Sequence, residues 1–370
     1  MKLKIKTSEL LSLLSKTQNI VEKRNAMPVL SNVLLECSNN LLTIFATDLE
    51  VSLTDSVKAE VIESGKVAVN AKSLFDIAKE LPEEEVLLTK QENNWLKIAQ
   101  SKSVFNIVGI SPEEYPVFPS IHTKKFSLVS SQTLSEMISK TIYSVSHDQT
   151  RYHLNGVYLE KDEEHQGYYR MVATDGHRLS LVNRKMESSS KNSLSGVIIP
   201  KKGLNEINKL IEGIQDNFEM AIEGAQLIVR YNSTVLMVRL IEGKYPNYNQ
   251  LIPKDLKQKI LVDKALLHSS LKRVSLMSNQ KSKGVTFKLS DGKMEITSNN
   301  PEMGEAKEEI DIDYKGNDFK IGFNAKYILD ILNSIDDSKI SIELSDQLSP
   351  GIMRPQGDES YTCVVMPMRI

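Results

Sequence analysis

Two kinds of hydrophobic spacing alternate along the chain. Most segments alternate apolar and polar residues, which is typical of antiparallel strands with one covered face. Six segments have helical spacing instead. With their flanking turns, they are 7–24, 71–82, 131–151, 200–214, 263–283 and 324–335. The pattern therefore predicts an α+β protein, in which two helices pack on antiparallel sheets in each third of the chain.

Three short sequence patterns recur in each third of the chain. A strand followed by a polar or proline turn and a helix is found at Val69–Leu74, Ile199–Leu204 and Phe323–Ile328, at spacings of 130 and 124 residues. An amphipathic helix opens each third, and a strand that breaks into a polar turn lies between the two helices. Because the spacing is that of a domain rather than of a solenoid repeat, we predict three tandem copies of one fold. The predicted domains are 1–122, 123–253 and 254–370.

Turn residues mark the joints of this pattern. Glu114–Pro119 and Lys244–Tyr248 contain prolines, which exclude them from a central ladder and predict edges or linkers. Ser290–Lys293 has Asp-Gly at its centre and predicts a hairpin.

Composition places few limits on function. The chain has 370 residues, of which 40% are apolar and 25% are charged, which is enough for a sizeable core. No apolar run approaches the length of a membrane span, so we expect no membrane association. The two cysteines, Cys37 and Cys363, are far apart, which favours reduced thiols and a cytoplasmic location.

The distribution of charge is more informative than its total. The formal net charge is −2, yet the six helical segments contain 16 Lys and Arg against 10 Asp and Glu. These segments thus carry +6 and the remainder −8. Such a division is compatible with helices that face a polyanion, although lysine and glutamate also decorate ordinary solvated helices.

The chain contains no nucleotide loop, HExxH or CxxC. The strongest catalytic candidate is Thr174–Leu179, in which Asp175, His177 and Arg178 offer acid–base groups. Its simpler interpretation is a turn, since Asp-Gly follows a strand and glycine allows a positive φ. The Met-Pro-Met of the final segment predicts either a partner-binding surface or a tail that covers its own domain.

Four features together resemble a known family: the three repeats, Ala173–Leu179, Tyr245–Tyr248 with Ser298–Glu302, and Val364–Ile370. They are similar to the β subunits of bacterial replicative DNA polymerases, the sliding clamps. The resemblance implies a non-catalytic processivity factor without a cofactor. It also implies a head-to-tail homodimeric ring of six domains around duplex DNA, closed where Phe105 meets Leu276 and Met277 of the other copy.

The resemblance also implies partners and their sites. Expected partners are duplex DNA without sequence preference, the polymerase catalytic subunit, an ATP-using clamp loader, mismatch-repair proteins and ligase. The residues expected to contact DNA, of which the last two rest on the charge distribution, are Arg24, Lys72, Gln149, Arg151, Lys201, Lys202, Lys281 and Lys283.

A pocket between the second and third domains should bind an extended peptide that contains Gln and ends in Leu or Phe. Its expected residues are Leu154, Thr174, Gly176, His177, Arg178, Leu179, Pro246, Leu251, Asn324, Tyr327, Leu348, Val364, Met366, Pro367, Met368 and Arg369. Gln250 and Ser282 depart from the Arg and Phe common in the family. Two prolines in 349–357 predict a shortened or bulged strand.

The amino-acid sequence leaves two alternatives to a ring open. One is an enzyme that uses Asp175, His177 and Arg178. The other is a scaffold whose Met-rich tail recruits partners without forming a ring.

Overall fold

The computed structural model describes residues 1–21, 27–186 and 194–369. These residues fold into two compact units, each with helices and purely antiparallel sheets, which confirms the α+β prediction. The first unit comprises the described residues of Met1–Ser131 and Lys202–Leu240, and the second those of Gln132–Met186, Leu194–Lys201 and Ile241 onward. No helix in the described ranges is long and apolar enough to cross a membrane.

The first unit contains two sheets in its described part. The five-stranded sheet has the order β5-β1-β7-β8-β9, with β1 Lys2–Lys6, β5 Glu60–Glu63, β7 Glu85–Lys90, β8 Leu96–Gln100 and β9 Ser103–Ile107. The nine-stranded sheet has the order β10-β6-β2-β3-β4-β18-β17-β16-β11. Its strands are β2 Asn32–Ser38, β3 Leu41–Thr47, β4 Val51–Lys58, β6 Gly65–Asn70, β10 Gly109–Ile110, β11 Ser127–Ser130, β16 Asn217–Glu223, β17 Gln226–Tyr231 and β18 Thr234–Arg239.

The described part of the second unit also contains two sheets. The eight-stranded sheet has the order β15-β12-β13-β14-β26-β25-β24-β19, and the four-stranded sheet has the order β22-β21-β20-β23. The first comprises β12 Gly156–Lys161, β13 Tyr168–Thr174, β14 Arg178–Lys185, β15 Val197–Pro200, β19 Gln258–Asp263, β24 Lys339–Leu344, β25 Gly351–Pro355 and β26 Tyr361–Val365. The second comprises β20 Gly284–Ser290, β21 Lys293–Asn300, β22 Gly304–Asp311 and β23 Phe319–Asn324.

Each predicted helical segment contains an α-helix, shorter than the segment because the turns were included. The helices are α1 Thr7–Thr17, α2 Ala71–Glu80, α3 Ser131–Ser139, α4 Lys201–Ile211, α5 Lys264–Val274 and α6 Ala325–Asn333. The polar residues that precede three of them are N-caps. Asn70 accepts from the Ser73 amide, Asp263 from Leu266, and Asn324 from Lys326.

The residues after α3 continue as short 3-10 helices, Ile142–Ser144 and Gln149–Leu154, rather than as the longer helix that segment 131–151 could hold. The Thr141 hydroxyl donates to the Met137 carbonyl at 2.8 Å, so it provides a side-chain donor for a carbonyl in the last helical turn. The hydroxyl of Thr17, the last residue of α1, likewise donates to the Leu14 carbonyl in the last turn.

The chain divides differently from the predicted domains. Antiparallel pairing of β4 with β18 joins the first predicted domain to the second, and β14 with β26 joins the second to the third. Strands of the second predicted domain therefore belong to both compact units. The boundaries near 122 and 253 stay predictions, and the proline-rich stretch 115–126 at the first of them has no regular structure.

The two prolines of 349–357 have little effect on the ladder. Pro350 precedes β25 and Pro355 is its last residue, so the strand is short, as expected. Its registers with β24 and β26 contain no shift, so the alternative of a bulge is wrong. The predicted hairpin at Ser290–Lys293 is confirmed, with Gly292 at a φ of 70°.

Candidate functional site

The segment Thr174–Arg178 forms a tight turn between β13 and β14 in the second unit. The Asp175 carboxylate accepts from the amides of His177 (2.9 Å) and Arg178 (3.0 Å), and Gly176 has a φ of 88°. The Thr174 hydroxyl donates to the Arg178 carbonyl at 2.6 Å. The turn interpretation is therefore correct: Asp175 is held by the backbone, and the glycine occupies a conformation that other residues rarely adopt.

The Arg178 side chain is buried behind this turn. Its guanidinium donates to the carboxylates of Asp175 (3.1 Å) and Asp330 (2.7 Å) and to the Tyr143 carbonyl (2.5 Å). It also lies over the Tyr327 ring, 4.6 Å from the centroid. Because all parts of the guanidinium are engaged, Arg178 fixes the turn to α6 and to the segment after α3.

An apolar cluster lies next to the turn, all within the second unit. It contains three of the predicted pocket residues together with six others. Its buried members are Leu154, Val172, Leu179, Leu181, Ile198, Tyr245, Tyr248, Ile352 and Val364. Tyr245 stacks on Tyr158 with the ring centroids 5.0 Å apart. The cluster forms an apolar layer on which an extended peptide could place side chains.

The segment after β26 continues along the same region. The Met366 amide donates to the His177 carbonyl at 2.9 Å, and the Met368 amide donates to the Gly322 carbonyl at 2.8 Å. The Met366 side chain is exposed. The tail is thus docked by its backbone while one thioether side chain remains accessible to a partner.

The predicted pocket residues fall into three groups by exposure. Thr174, Arg178 and the cluster members Leu154, Leu179 and Val364 are buried. A second group is partly buried and comprises Asn324, Tyr327, Pro367 and Met368. The exposed group comprises Gly176, His177, Pro246, Leu251, Leu348, Met366 and Arg369. Direct contacts link His177, Arg178, Tyr327 and Met366. Asn324 has a structural role, since it caps α6 and donates to the Ser282 carbonyl at 3.1 Å.

The geometry does not favour acid–base catalysis at this turn. The Asp175 carboxylate is bonded to the turn amides and to Arg178, and the His177 ring stacks on Tyr327 with the centroids 6.4 Å apart. A general base must reach the proton that it abstracts, whereas these groups are committed to holding the turn.

Several residues behind the apolar cluster escaped the sequence analysis. The Arg170 guanidinium donates to the Tyr248 hydroxyl at 2.9 Å, and that hydroxyl also donates to Glu160. Tyr143 and Asp330 hold Arg178. Only Tyr245 and Tyr248 carried a signal, because their Tyr-Pro-Asn-Tyr motif was recognised as a joint and Pro246 was expected in the pocket, whereas the two tyrosines themselves were not.

The predicted DNA contacts lie in several places. Arg24 lies outside the described residues. In the first unit, Lys72 on α2 pairs with Asp76 (2.5 Å), and Lys202 on α4 pairs with the buried Asp48. Lys202 is therefore already bound to a carboxylate.

The other five candidates belong to the second unit. Gln149 and Arg151 lie in the 3-10 helix after α3, and Lys281 and Lys283 lie just before β20. Lys201 Nζ is 3.5 Å from His147 Nε2. Burial, with Arg178 and Lys326 nearby, lowers the pKa of Lys201.

Two of the three predicted interface residues, Phe105 and Leu276, are exposed apolar side chains, and Met277 is partly buried. Phe105 lies on β9, an edge strand of its sheet, and is 39% exposed. Leu276 and Met277 lie in a 3-10 helix after α5, and Leu276 is 70% exposed. Exposed apolar side chains on an edge strand are typical of a surface that pairs with another chain.

One group in the described ranges has metal-ligand chemistry: Asp162, Glu164 and His165, whose ligand atoms lie within 4.8 Å of one another. Asp162 Oδ2 is already 3.1 Å from His165 Nδ1 and 3.4 Å from Arg170 Nη2. A guanidinium at the same carboxylate oxygen opposes a cation, so we assign no metal here.

Comparison with known proteins gives three family profiles that match successive parts of the chain. They are the N-terminal domain of the DNA polymerase III beta subunit at residues 1–119, its central domain at 128–247 and its C-terminal domain at 249–369. These matches confirm the three tandem repeats.

Full-length relatives point to the same family as the three profiles. A beta sliding clamp of Pseudomonas aeruginosa is 33% identical, with 99% of each chain covered. A Caulobacter crescentus clamp, solved with polyethylene glycol at a proposed β-motif tethering region, is 32% identical with a TM-score of 0.94 and full coverage of both chains. A Bartonella birtlesii clamp bound to griselimycin is 29% identical with a TM-score of 0.95, again with full coverage of both chains.

Proposed function

The chain belongs to the DNA polymerase III beta subunit family, the beta sliding clamps, and we propose from this premise how its residues carry out that function. It is a processivity clamp and a non-catalytic polymerase subunit. The full-length match to all three family domains is the observation that supports this conclusion most strongly. The ring, the residue assignments and the further partners are our proposal.

Two copies join head to tail into a ring that encloses duplex DNA. Phe105 on edge strand β9 and Leu276 after α5 are different surfaces, so pairing one with the other is a heterologous contact. Such contacts form either a closed ring or an open filament. Three repeats in each chain allow two chains to complete one turn.

The ring holds DNA without reading its sequence. Exposed cations such as Lys72 and Arg151 contact phosphates, which are the same in every sequence, so the ring can slide. Lys202 pairs with a buried carboxylate, Asp48, which makes it a weaker candidate than Lys201, whose ammonium group has, among the described residues, only a histidine within hydrogen-bond distance.

Partners bind through the apolar cluster and the docked tail. An extended peptide with an apolar end places its side chains over Leu179 and Val364, while Met366 closes one side. A few apolar anchors in a preformed groove provide most of the binding energy in such complexes. The peptide preference at exposed Gln250 and at Ser282 stays a prediction.

The further partners follow from the same site. The clamp serves the cytoplasmic replicative holoenzyme, and polymerase, clamp loader, mismatch-repair proteins and ligase take turns at the pocket. A separate ATP-using loader opens the ring, because the sequence contains no nucleotide-binding loop.

Substitution of His177 tests the proposal. His177→Ala should weaken binding of a fluorescein-labelled peptide containing Gln and ending in Leu-Phe, as measured by anisotropy, while the protein is still retained on nicked circular DNA after loading. His165→Ala, at an exposed histidine in the same unit, is the control and should bind like the parent. If the purified parent protein showed catalytic turnover and His177→Ala abolished it, the result would contradict the clamp assignment and favour an enzyme.

A further inference from the structure

The two joints between consecutive repeats are built from corresponding residues. Ser15-Lys16-Thr17 at the end of α1 corresponds to Ser139-Lys140-Thr141 at the end of α3, and both threonine hydroxyls donate back to carbonyls of their helix. The strand pairs also correspond, because Leu53 lies opposite Leu236 in the first unit and Ser180 lies opposite Cys363 in the second. The two joints can therefore be compared residue by residue.

The joint in the second unit is filled by aromatic side chains. Tyr143 and Tyr361 share a hydrogen bond between their hydroxyls at 2.9 Å. Ser334 bonds the Tyr361 hydroxyl at 2.6 Å, and Ser180 donates to Tyr143 at 2.7 Å. The Lys140 ammonium lies over the Tyr361 ring, 5.1 Å from its centroid. The Arg178 guanidinium lies over the Tyr143 ring, 5.3 Å from its centroid, so each ring is held by a cation and by hydroxyl groups.

The corresponding joint in the first unit lacks both rings. Asn19 stands where Tyr143 stands in the other joint, and Thr234 replaces Tyr361. The second-joint residues Ser180, Ser334 and Cys363 have leucine counterparts, Leu53, Leu210 and Leu236. A cavity of about 210 Å³ results, lined by Ser15, Lys16, Asn19, Leu53, Glu206, Lys209, Leu210 and Leu236.

The size and chemistry of this cavity suit one aromatic ring. A cavity of about 150 Å³ lined by apolar side chains can hold a benzene molecule. Three leucines provide apolar walls, and Lys16 occupies the position from which Lys140 contacts the Tyr361 ring. Cations near a ring face add to the affinity.

The charges of the cavity favour a neutral ligand. Lys16 Nζ is 2.5 Å from the buried carboxylate of Asp55 and 3.1 Å from the Thr234 hydroxyl. Lys209 pairs with Glu206 at 2.8 Å. Since each cation has its own carboxylate, an anionic ligand would have to displace an existing ion pair.

We propose that the cavity between α1, β4, α4 and β18 binds a phenol-type ring, which takes the place that Tyr143 and Tyr361 fill in the second joint. Such a ring places its face against Leu53, Leu210 and Leu236, and its hydroxyl group reaches the polar rim at Asn19 and Ser15. The ring comes either from a free small molecule or from a tyrosine side chain of a partner protein.

Methyl NMR of the full-length protein tests the site with two probes, p-cresol and N-acetyl-tyrosinamide. We expect p-cresol to shift the methyl signals of Leu53, Leu210 and Leu236. Shifts with both probes identify a tyrosine side chain as an acceptable source of the ring, whereas shifts with p-cresol alone identify a free phenol. Absence of shifts with either probe at its solubility limit would overturn the proposal.

Cavity-filling variants give the second arm of the test. Asn19→Tyr, and independently Thr234→Tyr, should weaken p-cresol binding by about tenfold or more, because each returns a ring to the cavity. Ser12→Tyr places the same side chain on an exposed position of α1 and should leave binding unchanged. Unchanged p-cresol affinity in a folded Asn19→Tyr or Thr234→Tyr protein would contradict the assignment. The methyl shifts of Leu53, Leu210 and Leu236 report on the first unit, so this test does not depend on whether the second unit binds a peptide.

Discussion

At the scale of single residues, the proposed peptide pocket depends on partners that are distant in sequence. Arg178 reaches Asp330, 152 residues later, while its other carboxylate partner, Asp175, is only three residues away. The near bond shapes the turn, and the far bond ties the turn to α6. Loss of the far bond should therefore affect the position of α6 beside the turn, while loss of the near bond should affect the turn itself.

Replacing Asp330 with Asn separates these roles. Asp330→Asn leaves the turn bonds of Asp175 in place but removes the negative charge that pairs with the buried Arg178 guanidinium, so we expect the free energy of unfolding to fall by about 1–3 kcal/mol. Peptide affinity should fall as well, because Tyr327 loses its fixed neighbour. Urea unfolding and peptide anisotropy measure the two effects.

Asp336→Asn removes an exposed carboxylate just beyond α6 and is the matched control. If Asp330→Asn had the same free energy of unfolding and the same peptide affinity as Asp336→Asn, the Arg178–Asp330 bond would not organise the pocket.

Lys201 gives a prediction about pH. Its lowered pKa, caused by burial and then by Arg178 and Lys326, means that it loses its proton at a lower pH than an ordinary lysine, whose value is about 10.4. If Lys201 contacts phosphate, DNA affinity should decline earlier, as pH rises from neutral, than in Lys201→Arg. Salt-controlled DNA-binding titrations across pH measure this difference.

Lys72→Arg, on an exposed helical face, is the comparison and should keep the pH profile of the parent protein. A parent profile identical to that of Lys201→Arg would remove Lys201 from the set of DNA contacts.

Local chemistry explains which residues could be predicted. Asp175 accepts from amides two and three positions later and Gly176 has a positive φ, so their types and spacing reveal the turn, whereas the cap role of Asn324 was visible only in the structure. Nothing near Arg178 in the sequence indicates that Asp330 and Tyr143 will surround it. Such pairs depend on how distant elements pack.

At the scale of elements, the proposed pocket lies at a junction between strands that are far apart in sequence. β14 continues the turn of Thr174–Arg178, and β26 pairs with it before leading into the docked tail. The alternating pattern predicted strands here, but period-two spacing does not specify a partner strand. The repeats supplied the order of the elements, whereas the pairing of β4 with β18 was visible only in the structure.

Removing the tail tests its contribution as an element. Deleting residues 366–370 takes away the backbone bonds to His177 and Gly322 but leaves β26 intact. We expect loss of peptide binding and of polymerase stimulation, with self-association unchanged. Primer-extension assays and analytical ultracentrifugation measure these properties, and normal stimulation by the shortened protein would refute the pocket assignment.

At the scale of the whole molecule, the sequence predicted three repeats, and the family profiles confirm them. It did not predict that the chain packs as two units, because the strand pairs that cause this join residues of different repeats. The charge division predicted which elements face DNA but did not reveal that Lys202 is bound to Asp48.

Ring closure gives a prediction at this scale. Phe105→Asp places a carboxylate on exposed edge strand β9, where burial of a phenylalanine would contribute about 1.5–3 kcal/mol. We expect association to weaken by about tenfold or more, as measured by sedimentation at several concentrations.

Val117→Asp makes the same change at a side chain that is 95% exposed in the same unit, and it should associate like the parent. A Phe105→Asp protein with unchanged association would exclude this strand from the interface.

The pairing of β14 with β26 also constrains the timing of biosynthesis. Ser180 and Cys363 are 183 positions apart, so at about 5–20 residues per second a ribosome needs about 10–40 s to supply the second strand after the first. During that interval β14 lacks its neighbour, and the wall from which Met366 projects does not exist. If partners bind at this wall as proposed, a nascent or prematurely terminated chain lacks the site, and partner binding itself reports that synthesis has passed β26.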